Sequence, residues 1–161
     1  MATRIDAREI ALLSRHAIEH GLPWSWTPRR VGARIEDRET NVVVASQRAQ
    51  LLGFGIMSYA DEDAHLQLLA VQIAHRRRGV ASALVRWLED SARVAGIAQV
   101  FLECRISNSG AVTFYRRHGY EEVRLLRGYY GEGTEDAVRM RKRLSAPEGL
   151  IPPRLPGPAR S

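Results

Sequence analysis

Residues 76 to 82, Arg-Arg-Arg-Gly-Val-Ala-Ser, set three guanidiniums directly before a glycine and small or branched side chains that open a helical pattern. A helix N-terminus leaves backbone N–H groups without partners and carries about half a positive charge, so it attracts anions before any side chain contributes. Gly79 removes the Cβ that would block a diphosphate, Ala81 is small enough to keep it close, and Arg76, Arg77 and Arg78 add charge at the rim, ahead of Val80 and Ser82 in the first turn. The triphosphate-loop pattern Gly-x-x-x-x-Gly-Lys-Ser/Thr is absent. The competing use of the same residues is a capped surface helix with a solvated charge cluster.

A second group offers acid–base chemistry. In VFLEC, Glu103 lies in an apolar strand, where burial would raise its pKa toward the range of a base acting directly or through a water. The same carboxylate is equally placed for an ion pair with Arg105 on its own strand face. Cys104 points to the opposite face, and a buried structural thiol is the expected reading, not an acylated nucleophile. Tyr115 in TFYRRHGY is either a core aromatic or a phenol at the core's edge. Asn108 stands where it would cap a helix, and His65 begins a strand as a candidate second base.

These residues need elements to hold them. Apolar spacing predicts a first helix over Asp6 to His20, ended by Gly21, and Thr27 with Pro28 starts a short second helix to Ile35. NVVVAS, LLGFGIMSY and HLQLLAVQI read as antiparallel strands joined by tight loops. From Gly79 the period becomes helical, with Val80, Leu84, Trp87, Leu88, Ser91, Ala92 and Ala95 on one face, Arg86, Glu89, Asp90 and Arg93 opposite, and Gly96 as the stop. The strand VFLEC completes a βαβ unit with parallel strands. A helix from Ser107 or Asn108 to His118 follows, then strands YEEVRLL and AVRMRKRL around the loop RGYYGEGTED. The class is α/β with a mixed sheet.

Length and composition bound the function. A chain of 161 residues with 45% hydrophobic content makes one domain with a real core, expected over residues 1–144. The remaining 145–161 hold five of the 7 prolines and read as a flexible appendage. No apolar run approaches the roughly 18 residues of a membrane span, so a cytoplasmic protein is expected. The single cysteine permits no internal disulfide, and the histidines lack zinc-finger spacing, so no metal is expected. A net charge of +6 invites nucleic acid, but the arginines are dispersed along the chain and no direct nucleic-acid role is expected. GFG in the second strand lacks the last glycine and the helix of a dinucleotide fingerprint.

Three blocks in order, Arg76-x-x-Gly79-x-Ala81 after LQLLAV, FLECRISNSGAVTFYRRHGYEEV, and RGYYGEGTEDAVRM, resemble the GNAT superfamily of acetyl-CoA-dependent N-acetyltransferases. Within it they are most similar to the ribosomal-protein-alanine N-acetyltransferase (RimI-type) family, whose motifs run W-L-E-V-R-x-S-N, Y-x-x-x-G-F and Y-Y-x-x-x-x-x-E-D-A. The similarity covers roughly residues 5 to 144. It implies a mixed, mostly antiparallel sheet around a central βαβ unit that binds acetyl-CoA, and direct acetyl transfer to a protein N-terminal α-amine of ribosomal-protein type, by a monomer or weak dimer. It assigns Glu103 as general base and Tyr115 as the acid for the coenzyme sulfur. It gives the backbone of Leu69, Ala70 and Val71 and the side chain of Asn108 to pantetheine, and the Arg76–Ser82 loop to the diphosphate. Trp24 and Trp26, with Tyr129 and Tyr130, flank the acceptor or serve as packing anchors. Gly131 replaces a frequent proline, and Glu132, Glu135 and Asp136 would draw basic acceptor residues. Two alternatives stay open: acylation of a small-molecule amine or lysine side chain on the same fold, and a non-catalytic acyl-CoA-binding module.

Overall fold

The computed structural model describes residues 1–144, and the proline-rich segment that follows lies outside the described residues. Four helices, α1 (Ala7–Ala17), α2 (Pro28–Glu36), α3 (Val80–Val94) and α4 (Ser109–Arg117), accompany six strands. The strands are β1 (Thr40–Gln47), β2 (Gln50–Ala60), β3 (Asp63–Val71), β4 (Gln99–Arg105), β5 (Glu121–Tyr130) and β6 (Glu135–Arg143). They form one sheet in the order β1-β2-β3-β4-β6-β5, and β3 with β4 is its parallel pair. The predicted α/β class and the central βαβ unit are therefore present.

Two apolar cores sandwich the sheet. One contains Leu84, Val85, Leu88 and Ala92 of α3, Val112 and Tyr115 of α4, and Val100, Leu102, Val138 and Met140 of the sheet. The other packs Ile10, Ala11 and Val31 of α1 and α2 on Val42, Phe54, Ile56, Leu68 and Ala70. A bulge at Gln67, between the pairs Met57↔Leu66 and Ile56↔Leu68, lets β3 serve both. Leu66 points to the α3 core, whereas Leu68 and Ala70 beyond the bulge point to the α1–α2 core. The GFG of β2 has a packing explanation: a Cβ on Gly55 would come 2.8 Å from Leu88, so its absence lets α3 seat on the sheet.

The first helix is shorter than its periodicity predicts, ending at Ala17. Glu19, 5% exposed, turns the chain instead, accepting hydrogen bonds from the Ser25 amide (2.7 Å) and hydroxyl (2.6 Å) and from the Trp26 amide (3.2 Å). On α3 the helical face is rotated from the expected one. Trp87 is 41% exposed, whereas Glu89 is 2% exposed and lies 2.6 Å from the Lys142 ammonium. An ion partner across the core overrides the polarity of a single side chain. The predicted loop RGYYGEGTED is half strand, because β5 continues through Tyr130 with an irregular register around Gly128, whose amide donates to Asp136 at 2.8 Å.

Candidate active site

At the predicted anion loop two left-handed residues precede a helix start. Arg77 and Gly79 have φ of +59° and +80°, so the backbone turns sharply into α3 and gathers its amides into a concave nest. The first helix bond runs from the Ala83 amide to the Gly79 carbonyl (3.0 Å), leaving the amides of Val80, Ala81 and Ser82 without helix partners. A Cβ at Gly79 would meet nothing within 4 Å, so the space before these amides is open. Arg76, Arg77 and Arg78 are exposed around it, and Arg76 Nε donates to the Val71 carbonyl (3.2 Å), tying the loop to β3. The Ser82 hydroxyl lies 3.0 Å from His118 Nε2.

Between β3 and β4 the sheet opens. Their pairing covers Asp63↔Gln99, Ala64↔Val100 and His65↔Phe101, yet β3 runs on to Val71 and β4 to Arg105. The main-chain groups of Leu69, Ala70 and Val71 pair with β2 on one side and face this splay on the other. Such an edge can hydrogen-bond an extended ligand threaded into it.

Glu103 stands on the β4 side of the splay with its side chain 5% exposed. His65 Nε2 lies 2.5 Å from one carboxylate oxygen, and Arg139 donates to the other through Nε (2.9 Å) and an Nη at 2.8 Å. Burial pushes the carboxyl up, but the hydrogen bonds and positive charge of His65 and Arg139 outweigh it and hold Glu103 below the ordinary glutamate value. This corrects the expectation of a raised pKa. Arg105 is not its partner either: it pairs with Glu135 at 3.5 Å and donates to the His20 carbonyl at 3.1 Å. Arg139 was legible only through alternation, since AVRMRKRL as a strand beside β4 places it opposite Glu103.

The opposite face of β4 is dry. Burial, and behind it the Glu103 charge, pushes the Cys104 thiol up to about 12, which leaves almost no thiolate near neutrality and suits a structural role. Tyr115 is 8% exposed, its ring edge-on to Phe114 (5.2 Å) and Tyr120 (5.5 Å). Burial raises its phenol further, with Cys104 and Tyr130 adding to the rise, so it stays protonated near neutrality. Asn108 caps α4, its side-chain oxygen accepting from the Ala111 amide at 3.1 Å.

Two segments flank Glu103 on the α1–α2 face. Tyr129 is 48% exposed and stacks edge-on with Tyr130 at 4.9 Å. After burial itself, the Glu103 charge helps push both phenols up, and the Tyr130 hydroxyl lies 3.5 Å from the Glu103 carbonyl. Gly131 has φ +59°, a conformation proline cannot take, and a Cβ there would sit 2.4 Å from the Thr134 hydroxyl. The turn is fixed by compactness, its Thr134 hydroxyl donating to the Gly131 carbonyl at 2.8 Å. Across from it, Trp26 is 7% exposed and belongs to the α1–α2 core, with Arg30 over its ring at 4.1 Å, so it is a packing anchor. Trp24 is partly buried against the same core under Arg15 at 4.9 Å. Of the three acids expected to attract a basic acceptor, two are committed internally, Glu135 to Arg105 and Ser107 and Asp136 to the Gly128 amide, whereas Glu132 is exposed at the tip of the turn. A pocket of about 360 Å³ lined by Ser58, Asp63, His65, Phe101 and Arg139 adjoins the carboxylate.

An anion nest at a helix start, a splayed parallel strand pair and a caged carboxylate beside the opening make an arrangement that can accommodate a diphosphate-bearing carrier and a polar acceptor together. The chain belongs to the acetyltransferase (GNAT) family, whose model matches residues 10–120, and it is an N-acetyltransferase. It is similar to the ribosomal protein bS18-alanine N-acetyltransferase of Escherichia coli K12, 31% identical over 75% of this chain and 81% of that one. The crystal structure of the E. coli ribosomal-protein-S18-alanine N-acetyltransferase superposes with a TM-score of 0.77 at 28% identity, covering 92% of this chain and 95% of that one. The N-alpha-acetyltransferase RimI of Mycobacterium tuberculosis is 30% identical over 87% of this chain and 88% of its own. Among the described residues no helix is long and apolar enough to cross a membrane.

Proposed function

We propose that the protein transfers acetyl from acetyl-CoA directly to the α-amine of a protein N-terminus, with ribosomal proteins as the first class of acceptor to try. The observation that carries this reading is the Glu103 carboxylate, caged by His65 and Arg139 beside the β3/β4 opening. The diphosphate binds the Val80–Ser82 amides under Arg76, Arg77 and Arg78, pantetheine lies along Leu69–Val71 with Asn108 beside it, and the thioester reaches the carboxylate from the α3 side. The acceptor amine reaches Glu103 from the α1–α2 face, with Trp24, Tyr129 and Tyr130 bounding the opening on the side of the start of β6.

A carboxylate held low is always ionised but is a modest base, and that favours one amine over another. Making a neutral α-amine near pH 7 costs about 3.5 kcal/mol less than making a neutral lysine amine, since their pKa values lie near ~7.8 and ~10.4. Glu103 therefore fits an α-amine, drawing it in and taking its proton through a water. As the carbonyl is attacked and the carbon–sulfur bond breaks, Tyr115 donates a hydrogen bond to the departing sulfur. The names of the relatives point to the same acceptor class.

Tandem mass spectrometry of an alanine-initiated peptide carrying one internal lysine, after incubation with acetyl-CoA, tests the reading. Acetylation mainly on the α-amine is expected. Acetylation mainly on lysine, or turnover of a polyamine or aminoglycoside with neither peptide amine modified, overturns it.

A further inference from the structure

The face of the sheet on which Glu103 lies is covered by α1 and α2 only over β1, β2 and β3. Beyond the carboxylate, toward the start of β4, it is bare, and the pocket lined by His65, Phe101 and Arg139 opens there. Along β6, Val138 and Met140 point into the α3 core and Lys142 reaches Glu89 on the same side. Strand alternation therefore puts Arg139, Arg141 and Arg143 on the bare face, opposite Glu103, Phe101 and Gln99 respectively. On β5, Arg124 stands in register with Arg139.

Among the described residues Arg139 alone of these four has an ion partner, Glu103. The nearby acids do not neutralise the rest. Glu121 is in register with Arg141 but forms no ion pair with it, Asp63 accepts from Gln99 at 2.9 Å, and the Asp61–Glu62 turn belongs to the β3 flank, beyond β4. The flank along β6 is thus a row of guanidiniums leading away from the carboxylate, half-buried at Arg139 and Arg141 and exposed at Arg143.

We propose that this row selects acceptor N-termini carrying acidic side chains at their third to fifth residues, the reverse of the basic preference read from the turn acids. This rests on the N-terminal acceptor reading above. Arg141 and Arg143 lie two and four residues along β6 from Arg139, about 7 and 13 Å at strand rise. An extended acceptor with its amine at Glu103 advances at the same rate, so its third and fifth side chains fall beside them. Guanidinium forks donate two parallel hydrogen bonds to a carboxylate, and half-exposed pairs tune choice between acceptors more than total affinity.

The experiment compares kcat/KM for two alanine-initiated peptides that differ only in carrying Asp or Arg at residues three to five, using wild type and Arg141→Glu/Arg143→Glu. Thermal melting confirms that the variant is folded. Wild type is expected to favour the acidic peptide about five- to tenfold, less at high salt, and the variant to reverse the order. Wild-type indifference, or preference for the basic peptide with both peptides acetylated, overturns this inference while leaving the N-terminal reading intact. Failure to acetylate either α-amine while a small amine is turned over defeats both. Loss of binding to a single-stranded RNA oligonucleotide in the variant, with peptide preference unchanged, also overturns it by assigning the row to nucleic acid.

Discussion

Glu103 and Cys104 are neighbours on β4, yet the strand carries them into opposite environments. Burial drives both toward their neutral forms. On the Cys104 face nothing opposes it, and the thiol rises to about 12 among apolar side chains, with the raised phenol of Tyr115 on the same side. On the Glu103 face, His65 and Arg139 reverse the sign and keep a carboxylate ionised with its side chain 5% exposed. The pair shows that depth alone does not set protonation: two partners recruited from β3 and β6 turn a buried acid into a fixed anion.

The largest effect should come from removing that anion. Glu103→Gln keeps the shape and is expected to lower kcat/KM about 100-fold or more, with acetyl-CoA affinity by calorimetry nearly unchanged. A loss below about threefold would reduce Glu103 to a structural ion pair. On the dry face, Tyr115→Phe removes only a hydroxyl and is expected to lower kcat about 10- to 100-fold with little change in KM. An unchanged kcat in steady-state assays would confine Tyr115 to packing.

Arg139→Leu tests the source of the difference. Without the guanidinium, burial is opposed by His65 alone, so the carboxyl rises and the acid limb of the pH–rate profile should move to higher pH. Stability follows the same sign. A carboxyl lower in the folded than in the unfolded state contributes stability above its unfolded value near ~4.3 and loses it as pH falls through the folded value. Urea titrations should accordingly show the gap between wild type and Glu103→Gln closing in acid. The smallest effect belongs to Cys104→Ala, expected to retain activity within about twofold at a cost of about 1 kcal/mol of stability. Abolished turnover there would revive an acylated thiol.

Much of this was legible in the sequence. The Arg76–Ser82 loop is local, its conformation set by Gly79 and the helix it starts, so composition and spacing were enough to find it. The succession of helices and strands along the chain and the βαβ unit followed from periodicity for the same reason, whereas the insertion of β6 between β4 and β5 did not. The cage was not local. His65 and Arg139 come from strands 38 and 36 residues away from Glu103, and only the pairing of β4 with β6 put a particular arginine beside it. Arg105, nearer in sequence, was drawn off by Glu135 and a main-chain carbonyl in the α1–α2 link. Trp87 and Glu89 were exchanged between faces because the helical period cannot foresee Lys142 arriving from β6.

The carboxyl of Glu103 can be followed directly by carbon-13 NMR in glutamate-labelled protein, with Glu103→Gln to assign its resonance. A titration midpoint below the ordinary glutamate value of about 4.3, rising in Arg139→Leu, is the predicted result. A midpoint above that value, unmoved by the loss of Arg139, would mean that burial governs both faces of β4 alike and would contradict the account.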